Sequence, residues 1–176
     1  LGGRRRAIAP LIETHGHRRI AFIQGPAGQI EAEQRYQAYR EELADHGLEL
    51  DPALVLPGDF GQASGAAAML DLQERGLAVP AVVAANDTMA IGAITYLQAQ
   101  GRRVPEDVAV VGFDDIGEGQ YYWVPLTTVR QLFYTVGQRA VRALLDLLRG
   151  EQVPPRIVAP AELVVRRSCG CLPTGD

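Results

Sequence analysis

Three short apolar runs set the strongest constraint on this chain. They are IAFI (20–23), AVVAA (81–85) and VAVVGF (108–113), and each is followed at once by polar residues: Gln24-Gly25-Pro26, Asn86-Asp87 and Asp114-Asp115. Runs this short are strands by length. Because they are apolar throughout rather than alternating, both of their faces are expected to be buried. Segments with helical periodicity separate them, so the connections are crossovers and the strands run parallel. The expectation is an α/β fold, a parallel sheet with helices on both faces.

The remaining elements fit that plan. Residues 4–14 read helical, with Ile8, Leu11 and Ile12 on one stripe, and His15-Gly16-His17 ends them. Residues 31–45 carry Ala32, Arg35, Tyr36, Tyr39 and Leu43 at helical spacing, with Gly47 as a C-cap. Leu54–Leu56 reads as a brief strand, and Gln62–Arg75 as a helix stopped by Gly76. Thr88–Gln100 is the next helix, then Val108–Phe113 a strand and DDIGEGQYYWVP an irregular stretch. Thr127–Gln131 is read as extended. The longest helix is predicted over 132–149, its apolar face formed by Phe133, Val136, Ala140, Leu144 and Leu147. Extended pieces near Arg156–Val158 and Glu162–Val165 close the pattern. No fixed-period repeat or low-complexity segment is present.

Composition excludes some functions. Of 176 residues, all 17 basic ones are arginine and none is lysine. A Walker phosphate loop or a Schiff-base enzyme therefore has no amine to work with. A net charge of −4 gives no electrostatic reason for this segment to bind nucleic acid or an anionic membrane. No apolar run reaches the length of a membrane span. The two cysteines, Cys169 and Cys171, are too few for a metal site and poorly spaced for an ordinary disulfide; they read as free thiols, with no metal or cofactor expected.

In a parallel sheet all carboxyl ends of the strands lie on one edge, where ligands of open α/β sheets bind. The first strand leads to Gly25-Pro26 and on to Glu31 and Arg35. The second leads to Gly58-Asp59-Phe60, the third to Asn86-Asp87, the fourth to Phe113-Asp114-Asp115. Each has an ordinary structural use as well. Asn86 or Asp87 can N-cap the following helix, worth about 1 kcal/mol; Asp114 and Asp115 can be turn residues; Arg35 can be a solvated helix-surface group. Gathered on one rim, carboxylate, carboxamide and guanidinium suit adjacent hydroxyls, with an aromatic face for the C–H side of a sugar ring.

Catalysis finds less support. His15 and His17 precede the first strand and so fall toward the opposite edge, and His46 ends a helix. No G-x-S-x-G elbow occurs. Neighbouring Asp114 and Asp115 seldom aim at one atom from a turn. No enzyme activity is expected.

The stretches HGHRRIAFIQGP (15–26), QRYQAYREEL (34–43), GDF (58–60), AANDTMAIGA (84–93), GRRVPEDVAVVGFDDI (101–116), PLTTVRQ (125–131) and ELVVRRS (162–168) together resemble the effector-binding domain of the lac repressor family of bacterial transcription regulators. That family shares its fold with periplasmic sugar-binding proteins. The resemblance implies a periplasmic-binding-protein-like type I fold, mostly the C-terminal lobe (18–124). Residues 1–17 and 125–160 would be the crossover and a remnant of the N-terminal lobe, and 161–176 the last strand and tail.

By the same resemblance Arg35, Asn86 and Asp114 fall on sugar- or nucleobase-contacting positions and Phe60 on that of a ring-stacking aromatic. Phe133 falls on a pocket-lining position near the crossover, and Glu31 on a pocket position of variable residue type. The implied function is a cytoplasmic ligand sensor that closes two lobes on a small sugar or related effector, acts as a homodimer, and reaches DNA only through a helix-turn-helix outside this chain. A complete first lobe is also missing, which would leave the apolar stripe of the 132–149 helix exposed or packed on another copy. The tail RRSCGCLP (166–173) looks more like the exit into a further module, so a sensor fused to a kinase or cyclase is the alternative. A transport receptor is a third, less favoured by PLTTVRQ and the lack of an export signal.

Overall fold

A computed structural model describes residues 8–171. Residues 4–7 of the expected first helix and 172–176 of the tail lie outside that range. The described elements are α1 (Ala9–Glu13), β1 (Ile20–Ile23), α2 (Ile30–Asp45), β2 (Val55–Leu56), α3 (Gln62–Glu74), β3 (Ala81–Ala84), α4 (Asp87–Ala99), β4 (Ala109–Val111), α5 (Gly117–Gln120), β5 (Thr128–Gln131), α6 (Phe133–Leu148) and β6 (Ala161–Val164). One-turn 3₁₀ helices cover Pro52–Leu54 and Arg167–Cys169.

Four strands form one parallel sheet in the order β2-β1-β3-β4. Every residue of β1, β3 and β4 is buried, which requires cover on both faces and explains why their sequences are apolar without alternation. β5 and β6 make an antiparallel pair. β5 joins the β4 edge through parallel bridges Val111–Thr127 and Asp114–Arg130, so the two sheets are stitched where β4 ends.

Aromatic packing fixes α2 on the sheet. The Phe22 ring of β1 lies 4.8 Å from Tyr39 and 5.8 Å from Tyr36, and the buried Tyr39 hydroxyl donates to the Ile20 carbonyl at 2.9 Å. That bond satisfies a phenol which would otherwise be costly to bury. α3 and α4 approach backbone to backbone. A Cβ on Gly65 would stand 2.0 Å from the Met89 carbonyl oxygen, and one on Gly92 1.9 Å from that of Gln62. Only glycine permits this crossing.

Three sequence expectations change. Residues 156–158 form no strand; they run coiled and largely exposed beside α6. Leu54 belongs to a 3₁₀ turn capped by Asp51, whose carboxylate accepts from the Ala53 amide at 2.9 Å. The stretch after β4 contains the single turn α5. α6, by contrast, forms as expected but has no buried residue. Phe133, Val136, Leu144 and Leu147 are between 45% and 62% exposed, so this helix offers an unpartnered apolar stripe.

Candidate functional site

Asn86 ends β3 and begins α4. Its backbone is extended (φ −146°, ψ 169°), and its Oδ1 accepts from the Met89 amide at 2.9 Å, the geometry of an N-cap. Its Nδ2 donates to the Phe60 carbonyl at 2.9 Å. The carboxamide therefore ties two strand ends together and keeps one N–H and one lone pair for other use.

Arg35, from α2, reaches across to two further strand ends. One terminal nitrogen donates to the Ala85 carbonyl at 2.5 Å and the other to Asp114 Oδ1 at 2.9 Å. Its guanidinium lies 4.1 Å from the Phe113 ring centroid and 5.8 Å from that of Phe60. The Arg35 and Asp114 side chains are only 10% and 22% exposed. The Arg35 Nε is buried with no hydrogen-bond partner, an arrangement that costs about 1–3 kcal/mol.

Asp114 also accepts from Gln131 Nε2 at 2.5 Å, while its Oδ2 has no protein partner among the described residues. Burial raises the Asp114 pKa, with the Arg35 charge and the Gln131 and Arg35 hydrogen bonds acting against it. Asp115 turns the other way. It receives Arg130 Nε and Arg166, each at 2.6 Å. Burial works to raise its carboxyl, but those bonds and the two arginine charges together hold it below the ordinary range.

Beneath them sits Asp87, fully buried. It accepts from the Thr128 hydroxyl at 2.5 Å and the Ile116 amide at 2.9 Å. Asp87 thus fastens α4 to β5 and to the loop after β4.

Three non-glycine residues with positive φ among those described are Phe60 (70°), Asp114 (116°) and Asp115 (60°), and all lie on this rim. Such conformations cost roughly 1–3 kcal/mol each and persist where surrounding contacts over-determine them. Asn86 supplies one such contact at Phe60, and the Asp114 amide donates to the Val129 carbonyl at 2.9 Å. Gly25 completes the arrangement: a Cβ there would stand 2.3 Å from Phe60 Cε1, so its bare backbone is what lets the ring lie over the end of β1.

The structure thus gathers Arg35, Phe60, Asn86 and Asp114. Glu31 lies in the first turn of α2, exposed, where a carboxylate complements the helix N-terminus. Phe133, first residue of α6, is 62% exposed and joins no contact of this cluster. Sequence reasoning missed Gln131 and the two arginines on Asp115. The PLTTVRQ stretch held Gln131 and Arg130, but no one-dimensional signal aligns β5 with the end of β4. The crevice at Arg35, lined by Phe22, Ala85, Gly112 and Phe113, holds only about 20 Å³. A larger hollow of about 350 Å³ lies between the far ends of α3 and α4, lined by Met69, Leu72, Tyr96 and Leu97. It lacks the convergent carboxylate, carboxamide and guanidinium of the rim, which is an open surface rather than a closed pocket.

A family model for a periplasmic binding protein-like domain matches residues 11–169. The HTH-type transcriptional regulator CelR of Thermobifida fusca is 47% identical over 96% of this chain and 49% of its own length. The chain belongs to the lac repressor family. Among solved structures of that family, a CelR–cellobiose complex matches with a TM-score of 0.88 at 47% identity, over 95% of this chain and 51% of that one. The lac repressor dimer bound to operator and the anti-inducer ONPF matches at 0.90 and 32% identity, over 95% and 57%. The chain spans about half the length of the curated relative it matches. The family is one of transcription regulators, not enzymes, and its effector-binding fold is the one described above. No helix among the described residues is long and apolar enough to cross a membrane.

Proposed function

We propose that this chain forms the effector-binding face of a cytoplasmic transcription regulator and takes a small sugar on its strand-end rim. The observation that carries the reading is the Arg35–Asp114 pair, held under two aromatic rings beside Asn86. The Asp114 Oδ2 and the remaining Asn86 N–H suit neighbouring hydroxyls as acceptor and donor. The Phe60 ring offers an apolar face for sugar C–H groups. Glu31 and Phe133 flank the rim on the mouths of α2 and α6 and contact ligand only once a second lobe closes over it.

Residues 18–124 are the C-terminal lobe in this reading, and 1–17 with 125–160 the crossover and part of the other. α6 then packs its apolar stripe on the first lobe, and effector bridging both lobes biases an open–closed equilibrium. DNA contact and homodimerisation belong to the assembled regulator. The similarity to CelR makes cellobiose the first effector to test.

Calorimetry on a protein carrying this chain with a complete first lobe is expected to give a cellobiose or related disaccharide Kd in the micromolar range, about −8 kcal/mol. Asp114→Asn is expected to weaken it at least tenfold, and residues 1–176 alone to give little heat. Binding of no mono- or disaccharide, or affinity indifferent to Asp114→Asn and Arg35→Ala, overturns the reading.

A further inference from the structure

The turn before β1 and the 3₁₀ turn after β6 are more than 150 residues apart in sequence and meet in space. His15 Nε2 lies 3.0 Å from Cys171 Sγ. The ligand atoms of His15, Cys169 and Cys171 all fall within 4.8 Å of one another. Both cysteines are free thiols, Cys169 buried and Cys171 half-buried. A tetrahedral zinc ion with Zn–S near 2.3 Å and Zn–N near 2.0 Å needs its ligand atoms roughly 3.5–3.8 Å apart. Shifts well under the length of a bond bring these three to that spacing.

The local backbone is shaped for it. Gly170 sits at φ 86°, which turns the chain so that the thiols on either side face His15. A Cβ on Gly170 would stand 3.2 Å from His15 Cε1, so a side chain there would press on the imidazole. The Cys171 amide donates to Cys169 Sγ at 3.4 Å, which orients that sulfur beside the second thiol. The His17 ring stacks beside His15 at 5.9 Å and restrains its plane. A disulfide between Cys169 and Cys171 would close a strained ring across one residue, and the two sulfurs are unbonded here.

We propose that His15, Cys169 and Cys171 form a zinc site, with solvent as fourth ligand, separate from the effector rim. Two thiolates and an imidazole are a borderline-soft set that prefers zinc to calcium or magnesium. The ion would clamp the exit of the last strand to the entry of the first. The Arg167–Cys169 turn is already fixed beside β4, because Ser168 Oγ donates to the Val110 carbonyl at 2.6 Å and accepts from the Thr127 amide at 2.8 Å. Zinc would extend that anchor to the start of the domain.

The test uses the whole 176-residue chain, stripped of metal and kept reduced with a phosphine. Zinc competition against a chromophoric chelator is expected to give one equivalent bound. Cobalt substitution is expected to give a near-ultraviolet thiolate charge-transfer band and tetrahedral visible bands. Unfolding temperature should rise by about 5 °C or more with zinc in large excess over its Kd. His15→Ala and Cys171→Ser, both partly exposed and folded by circular dichroism, should each weaken zinc at least a hundredfold; His15→Cys should restore it, and His46→Ala, at a histidine held by Glu13 and Glu42 outside the cluster, should leave it unchanged. Absence of the thiolate band, zinc affinity equal in wild type and His15→Ala, or tight binding of copper(I) without zinc overturns the proposal.

Discussion

Arg35 and Asp114 stand 79 residues apart in sequence and join at 2.9 Å over the carboxyl ends of β3 and β4. A second arginine nitrogen holds the Ala85 carbonyl, so one guanidinium sets the spacing of two strand ends.

Replacing that group should therefore disturb more than ligand contact. Arg35→Ala leaves Asp114 with Gln131 as its remaining donor and the Ala85 carbonyl short of a partner. A loss of about 2–4 kcal/mol in urea denaturation is expected. Arg35→Lys keeps the charge but cannot serve both acceptors and stack on Phe113, so it should recover less than half of that loss.

Asp87 and Asp115 should respond to pH in opposite senses. Burial raises the Asp87 pKa, and the nearby Asp114 and Asp115 charges add to it, while Thr128 and the Ile116 amide oppose them. Its contribution to stability is then fullest below the ordinary aspartate value of 3.8 and is lost as pH rises through its raised folded pKa. Asp115, held low by Arg130 and Arg166 against burial, contributes above the ordinary value and loses that as pH falls through its lowered folded pKa. Denaturation curves from about pH 3 to pH 7 should show Asp115→Asn costing about 1–3 kcal/mol near neutrality, the gap to wild type closing toward acid. Asp87→Asn should instead remove a loss seen on raising pH through the carboxylate range.

Gly25→Ala places a methyl 2.3 Å from the Phe60 ring and 2.9 Å from the Ala32 methyl. The ring has to leave its seat. The fold should survive with a loss of about 1–3 kcal/mol, while sugar affinity falls tenfold or more by calorimetry. Equal affinity in wild type and Gly25→Ala would show that the ring's placement is irrelevant to binding.

The α6 stripe should make the isolated chain self-associate. Leu144 and Leu147 are 57% and 58% exposed. Sedimentation of wild type is expected to be concentration-dependent, and Leu144→Glu with Leu147→Glu to shift it toward monomer, with unfolding free energy changed by no more than about 0.5 kcal/mol. Association unchanged in the double variant would assign it to another surface.

The parallel sheet was legible because β1, β3 and β4 are apolar at every position; the close α3–α4 crossing at Gly65 and Gly92 emerged only from the packing. Arg35, Phe60, Asn86 and Asp114 could be read as rim residues because each follows a strand directly or sits at the second helix's mouth. The Asn86 cap was legible too: a lone carboxamide between an apolar run and a helix has an obvious local use. The expected strand near 156–158 failed because an apolar Ile157-Val158 pair is extended only where a neighbour offers a ladder, and none pairs with it.

Local order along the chain, from apolar runs, glycine stops and a capping asparagine, was thus determined by the sequence alone, since those signals act over a few neighbouring residues. Tertiary structure decided which distant groups touch: Gln131 on Asp114, Arg166 on Asp115, His15 on Cys171. Those pairings depend on strand register and on where β5 and the final turn dock, and register is a property of the packed sheet that no single segment carries.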